Sequence, residues 1–346
     1  MNNIIERDCR DILARVSFKN LKGKKILITG ANGFLGQYVA AALSYANRKL
    51  GLRCSIHTVG LRAPRAVLAS ILRTDKKTTY SRVDLSKPFK LGGYDFIFHS
   101  AGYGQPSKFV SDPISTVAIN IDASRRLVDL SPGATFVFFS SSEIYGDIPK
   151  DKLPVREDFN GNFPMHRPRS VYGESKRLGE ALCAYYDRIG SVRARIVRIS
   201  AVYGPGLDAT DTRVMSDFIR KALTDKKITL LDAGGSVRTY GYIADVVAMI
   251  LFAGLHGKEM VYNVGGTDSV SILDLAKKIG RYCGVTVAAP AAPSKLAHIG
   301  QDPAVVKLDL RKIKKEMKKF KATPFPEGLE REIEWHRQLR NDGNPD

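Results

Sequence analysis

Lys25-Ile26-Leu27-Ile28-Thr29-Gly30-Ala31-Asn32-Gly33-Phe34-Leu35-Gly36 is the stretch on which the fold turns. KILIT is a short apolar run of strand length, and an alanine-rich helical pattern follows to about Ala46. Between them the glycines stand at intervals of three. Such a turn lets backbone approach a pyrophosphate, while the free N–H groups and partial positive charge of the helix N-terminus face the anion. A glycine turn that only packs a helix on a sheet is the plainer alternative. Its placement between a buried strand and an amphipathic helix favours nucleotide binding.

Outward from this unit the pattern repeats. Residues 1–22 read as a helical lead-in ending at Gly23. Strands are expected at Cys54–Val59, Thr79–Val83, Phe96–His99, Thr135–Ser140 and Arg195–Ile199, with helices at about Ile114–Leu130 and Val171–Ile189. Strands alternating with helices imply βαβ units and a parallel sheet. The expected fold is therefore α/β: a Rossmann-type doubly wound parallel sheet over residues 23–200, with a smaller, interleaved C-terminal lobe over 201–346. That lobe carries helical patterns at Val214–Leu223, Ala244–Leu255, Ile272–Cys283 and Asp309–Phe320, and Pro-rich turns at Pro290, Pro293, Pro303, Pro324 and Pro326.

The chain has 346 residues, 44% hydrophobic and 26% charged, as in an ordinary globular protein. No apolar run is long enough to span a membrane, and the charged first twenty residues do not resemble a signal peptide. Cys9, Cys54, Cys183 and Cys283 show no metal or disulfide spacing, which suggests reduced thiols in a cytoplasmic protein and no metal site. The net charge of +19 raises nucleic-acid binding as an alternative. Much of the excess sits in stretches such as Arg311–Lys319, the pattern of a solvated helix face, and there is no zinc-finger spacing or RRM signature.

Two further constellations carry chemistry. Tyr172 and Lys176 are four residues apart, so they share a helix face. An ammonium beside a phenol is expected to lower the phenol pKa and make it a usable base; the same lysine can bond a nicotinamide ribose. Ser141, in the cluster Ser140-Ser141-Ser142 at the mouth of the fifth strand, can hold a substrate hydroxyl. At the end of the second strand, Thr58-Val59-Gly60-Leu61-Arg62 lacks the acid that usually bonds the NAD ribose. Arg62 could instead accept an extra phosphate, suggesting NADP, or be an exposed loop residue. Asp84-Leu85 is placed to meet an adenine ring or to cap a turn.

These marks together resemble an extended short-chain dehydrogenase/reductase of the nucleotide-sugar epimerase/dehydratase kind. The resemblance runs from about Lys24 to Arg337. It rests on TGANGFLG (Thr29–Gly36), Asp84-Leu85, HSAG (His99–Gly102), Asn120, SSSEIYGD (Ser140–Asp147), YGESK (Tyr172–Lys176), RISAVYGPG (Arg198–Gly206), Arg238 before Tyr242 and Asp245, and YNVGG (Tyr262–Gly266). It implies NAD as cofactor, NADP remaining the alternative, and a nucleotide-sugar substrate. It implies cofactor contacts at Gly30, Gly33, Phe34, Leu35, Gly36, Arg62, Asp84, Leu85, Ala101, Tyr172 and Lys176. It also implies a homodimer through a bundle that includes the Tyr172 helix. Leu178, Leu182, Tyr185 and Tyr186 offer an apolar surface for that, although core packing would explain them equally.

The sub-type turns on Ser141-Ser142-Glu143. The family's dTDP-glucose dehydratases carry Asp then Glu after the hydroxyl residue, and Ser142 replaces that Asp here. Simple 4-epimerases usually lack the Glu. A Ser-Glu pair is similar to UDP-glucuronate decarboxylases and equally to GDP-mannose 4,6-dehydratases. Gln105–Pro113, with Ser107, and Asp211–Ile219 resemble decarboxylase segments. Catalytic roles are thus implied for Ser141, Glu143, Tyr172 and Lys176, and substrate contacts for Ser107, Ser142, Arg213 and Arg238. Glu143 has a structural alternative, a carboxylate bonded to backbone N–H groups; Arg213 and Arg238 could be salt-bridge residues. Two departures stand out: Ala201 where the family usually has Asn, and Val306 where an Arg often grips the diphosphate. Arg213, Arg238 and Lys307 are the candidates to compensate. The leading expectation is decarboxylation of an NDP-hexuronate such as UDP-glucuronate. The alternatives are a 4,6-dehydratase, a 4-epimerase, and a nucleotide-sensing or RNA-binding protein on the same fold.

Overall fold

The computed structural model describes residues 1–162, 164–290, 305–318 and 320–341. Pro293, Pro303 and Lys319 lie outside them. Helix α1 (Asn3–Arg15) leads into strand β1 (Lys25–Thr29), helix α2 (Phe34–Leu50), β2 (Ser55–Gly60), α3 (Ala66–Thr74), β3 (Thr78–Arg82) and β4 (Phe96–His99). Three helices follow, α4 (Pro106–Ser111), α5 (Pro113–Asn120) and α6 (Asp122–Asp129), before β5 (Thr135–Ser141), α7 (Ser170–Arg188) and β6 (Arg193–Ile199). The remainder is β7 (Ala201–Tyr203), α8 (Val214–Thr224), β8 (Lys227–Thr229), β9 (Val237–Tyr242), α9 (Ile243–His256), β10 (Val261–Val264), β11 (Ser269–Ser271), α10 (Ile272–Cys283), β12 (Thr286–Ala288), β13 (Val305–Val306), α11 (Arg311–Glu316) and α12 (Phe325–Asn341).

Seven strands form one sheet in the order β10-β6-β5-β4-β1-β2-β3, and every pairing in it is parallel. Strand order reverses between β1 and β4, the switch point outside whose carboxyl ends ligands bind in doubly wound sheets. Because side chains alternate, each strand feeds two cores. Ile26, Ile28, Val137, Phe139, Val197 and Ile199 face the larger core with α1, α2 and α9. Leu27, Ile97, Phe136, Phe138 and Ile196 face the second, with Leu127 and Cys183. A smaller sheet runs β11-β9-β13, with β7 also pairing β9, and β12 pairs β8.

The expected fold class stands, with local differences. The single helix expected from Ile114 to Leu130 is two, divided at Ile121, whose φ/ψ is −108°/−65°. Asp112 caps α5 by accepting from the Ser115 N–H at 3.2 Å, and Pro113 follows at its first turn. The helix expected over Asp309–Phe320 covers only Arg311–Glu316. Helix α12 was not expected. It is rich in charge, yet Leu329, Ile333 and Trp335 are buried, and the Trp335 indole donates to the Leu207 carbonyl at 2.8 Å.

The N-terminal helix is tied to the far end of the chain. Asp8, fully buried, accepts from Tyr38 of α2 (2.8 Å), Tyr242 of β9 (2.9 Å) and Arg331 of α12 (2.5 Å). Arg15 pairs with Asp245 at the start of α9, which also accepts from the Thr323 N–H at 2.7 Å. No helix among the described residues is long and apolar enough to cross a membrane.

Candidate active site

The switch point gathers the glycine turn and the residues after β4. Gly30 sits at φ +65°, and a Cβ there would lie 2.7 Å from the Ala101 backbone. A Cβ on Gly36 would lie 2.3 Å from the Gly30 carbonyl oxygen. Gly33 caps α2, donating to Gly30 O at 2.8 Å. Glycine at these points lets the turn pack this closely, as a pyrophosphate-binding turn requires. Phe34 and Leu35 open α2, and the Arg213 guanidinium lies 5.1 Å over the Phe34 ring. Ala101 is buried beside Thr29, whose hydroxyl accepts from its N–H at 3.3 Å.

On the other side of this turn stand Asn120 and Lys176. A Cβ on Gly102 would lie 3.5 Å from Asn120 Oδ1 and 3.6 Å from Lys176 Nζ. Asn120 is buried and donates to Ser175 Oγ at 2.8 Å, but its Oδ1 has no protein partner. An orphaned acceptor and an ammonium converging on a glycine suit a polyhydroxylated ligand such as a nucleotide ribose. The residues present therefore fit a dinucleotide.

The candidate catalytic side chains meet at the carboxyl end of β5. Ser141 ends the strand; its hydroxyl accepts from the Glu143 N–H at 3.2 Å and stands near enough to the Tyr172 phenol to act on its pKa. Lys176, one turn along α7, donates to the Phe139 carbonyl at 2.7 Å. Its Nζ lies 4.8 Å over the Phe138 ring and 5.8 Å from the Tyr172 ring centroid. Burial pushes Lys176 down to about 7. Burial also pushes Tyr172 up to about 12; the Ser141 hydrogen bond works against this, and the Glu143 charge adds to it. This corrects the expectation that the lysine lowers the tyrosine pKa. Desolvation sets the direction.

Two neighbours were invisible in the sequence. Phe109 of α4 stacks on Tyr172, centroids 4.5 Å apart at 11°. Arg169, immediately before α7, donates to Glu143 Oε1 at 2.9 Å and lies 6.0 Å over the Phe109 ring. Only the spacing of Arg169 three residues before Tyr172 hinted at its position, and nothing local marks Phe109. Glu143 is thus a paired carboxylate with a side chain 30% exposed.

The remaining expected residues lie as follows. Ser142 begins the 3-10 turn after β5, and Ser107 is exposed on α4. Arg62 is exposed; its carbonyl accepts from Asn32 Nδ2 at 2.8 Å. Asp84 accepts from the Ser86 N–H (3.0 Å) and hydroxyl (2.6 Å), a turn cap that holds it below the usual carboxylate range, while the Leu85 side chain is in the second core. Arg213 pairs with Asp211 at 2.9 Å, and Gln105 donates to the same carboxylate at 3.3 Å. Arg238, in β9, donates to the Val237 carbonyl at 2.9 Å and stands opposite Val306 in β13. Ala201 is exposed at the start of β7. Arg198 and Asn263, both in motifs quoted above, brace the scaffold: Arg198 pairs with Glu180 of α7 at 2.7 Å, and Tyr145 joins both residues. A cavity of about 1150 Å³ lies away from Tyr172, between α10, β11, β12 and the start of α12. The Ser271 hydroxyl on its wall donates to Asp274 at 2.7 Å as the cap of α10, a structural role.

The glycine cradle, the switch point and the Ser141/Tyr172/Lys176 set define an NAD-dependent enzyme of the extended short-chain dehydrogenase/reductase type. The chain belongs to the NAD dependent epimerase/dehydratase family, whose model matches residues 26–265, within a superfamily that modifies sugar nucleotides. Among curated relatives it is similar to UDP-glucuronic acid decarboxylase 1 of Xenopus tropicalis, 27% identical over 337 residues, covering 96% of this chain and 77% of that one. Among solved structures it shares its fold with the UDP-glucose 4-epimerase of Thermotoga maritima (TM-score 0.75, 22% identity, 91% and 99% of the two chains). It does so too with the UDP-glucuronic acid 4-epimerase of Bacillus cereus, solved with UDP-glucuronic acid and NAD (TM-score 0.71, 24% identity, 91% and 99%).

Proposed function

We propose that this enzyme oxidises the 4-hydroxyl of a nucleotide-linked hexuronate, with UDP-glucuronate as the first candidate, and decarboxylates the product. The observation that carries the reading is the convergence of Tyr172 with Lys176, whose Nζ lies 5.8 Å from its ring, and with Ser141 at the end of β5, at the mouth of the cradle. Bound NAD would take the hydride from sugar carbon four and return it. Ser141 orients the hydroxyl, and Tyr172 accepts its proton at Oη as the phenolate, a form that the positive charges of bound NAD and Lys176 would favour against burial. Lys176 and Asn120 would hold the nicotinamide ribose, and Gly30, Gly33 and Gly36 would receive the pyrophosphate. The new ketone lies beta to the carboxylate. The bond to the carboxyl carbon can then break, releasing carbon dioxide and leaving an enolate that takes a proton from water at carbon five. Return of the hydride to carbon four, with the Tyr172 proton going back to the carbon-four oxygen, would give an NDP-pentose.

Ser142, which offers no carboxylic acid where the dTDP-glucose dehydratases carry Asp, argues against dehydration of that type, and the segments Gln105–Pro113 and Asp211–Ile219 favour decarboxylation. The decarboxylase relative, similar over nearly the whole chain, supports the same choice. NAD is favoured over NADP by the family description. The test is a mass spectrum of UDP-glucuronate after incubation with the protein and NAD. Loss of carbon dioxide is expected. An unchanged substrate would direct the reading to another nucleotide sugar, with Ala201 and Val306 as the reason.

Two copies are inferred to associate through α5 and α7. Leu178 and Tyr185 are about half exposed on one face of α7, with Ile114 and Val117 exposed on α5, which packs beside it. Tyr186 belongs instead to the second core, and its hydroxyl donates to Asp129 at 3.0 Å. The four unpaired thiols suit a reducing compartment, and cytoplasmic residence is part of this reading.

A further inference from the structure

We propose that Arg169 is the residue that selects a carboxylate-bearing sugar, passing from Glu143 to the substrate carboxylate and thereby releasing Glu143 beside Tyr172. The inference rests on the hexuronate reading above.

Arg169 is fixed from three directions. Its backbone is the cap of α7, the helix that carries Tyr172. Its guanidinium donates to Glu143 at 2.9 Å and lies against the outer part of the aromatic stack that Phe109 forms with Tyr172. The pair is partly open, with side chains 17% and 30% exposed, so an entering ligand can reach both partners. Glu143 is close enough to Tyr172 for its charge to act on the phenol. A sugar whose 4-hydroxyl meets Ser141 and Tyr172 therefore brings its carbon-five substituent into the neighbourhood of this ion pair.

A neutral hydroxymethyl group there leaves the pair closed. A carboxylate there adds a second anion beside Glu143, and one guanidinium then faces two carboxylates. The arginine fork binds a planar carboxylate well, and repulsion between the anions drives Glu143 away. The released Glu143 carboxylate is then free to orient the water that protonates carbon five, and only when the substrate carries the group to be lost. In this exchange no covalent bond changes; one charge-assisted hydrogen bond is traded for another.

The test measures equilibrium binding of UDP-glucuronate and UDP-glucose to the NAD-loaded protein by calorimetry. For Arg169→Gln the account expects UDP-glucuronate to weaken about ten- to a hundredfold with UDP-glucose changed by less than about twofold. Arg169→Lys keeps the charge but not the fork, and should recover part of the loss. Glu143→Gln removes the competitor, so UDP-glucuronate should bind as tightly or more tightly while turnover falls. Equal loss of both ligands in Arg169→Gln, or weakened UDP-glucuronate binding in Glu143→Gln, overturns the exchange. Wild-type protein that binds neither sugar nucleotide overturns it together with the hexuronate reading. Failure of decarboxylation alone appears separately, as tight UDP-glucuronate binding with no change in product mass.

Discussion

Tyr172, Lys176 and Ser141 show what spacing can and cannot reveal. A helix turn and a strand end bring the three together, and both are local features legible in the sequence. Their protonation is not local. It depends on the burial made by Phe109, Phe138 and the β5 backbone, which only the tertiary fold supplies. Lys176 titrates near 7 in the folded protein against 10.5 unfolded. Between those values the unfolded chain binds the extra proton, so this lysine destabilises the fold fully below about 7 and not at all above 10.5. Melting curves of the wild type and Lys176→Met should therefore diverge. The wild type should gain on the variant as pH rises from neutral into the alkaline range; a difference that stays flat with pH would show that the lysine is not desolvated. Tyr172→Phe should abolish cofactor reduction while leaving NAD binding, read by quenching of the protein fluorescence, within about threefold.

At the scale of elements, the glycine turn and alternating strands were readable because periodicity and turn chemistry are written in adjacent residues. Helix α12 was not, because its buried face includes Arg331, Glu332 and His336, which break an apolar stripe. Its role is clear only once Asp8 of α1 is seen beneath it. Burial dominates at Asp8 and raises it to about 6 in spite of three donors. Arg331→Leu would leave that carboxylate desolvated without its cation, a loss on the order of 3–5 kcal/mol. Arg7, whose pair with Glu327 is exposed, should cost less than about 1 kcal/mol when changed to Ala. Urea unfolding of the two variants separates these cases, and equal effects would mean that the α1–α12 tie carries no stability. The break at Ile121 was likewise illegible, since no Gly or Pro marks it.

For the whole molecule, the order of the sheet brings the ends of β1, β4 and β5 to one edge, so residues from Gly30 to Lys176 share a site. The chain order of βαβ units foretold that convergence. It could not foretell the pairing of Glu143 with Arg169, or that of Arg213 with Asp211, because both depend on how loops settle over the sheet. The exposed apolar face of α5 and α7 makes the dimer testable: Leu178→Glu with Tyr185→Ser should shift the protein to monomer in sedimentation, and an unchanged mass would move the interface elsewhere. The central claim is that Tyr172 initiates oxidation at sugar carbon four and that decarboxylation follows. The most direct measurement incubates UDP-glucuronate deuterated at carbon four with the wild type and NAD, and analyses the products by mass and NMR. The account predicts loss of the carboxyl carbon, with the deuterium back at carbon four or recovered on the reduced cofactor. A product that keeps its carboxylate, or decarboxylation that runs as fast in a parallel incubation with the Tyr172→Phe variant, would contradict it.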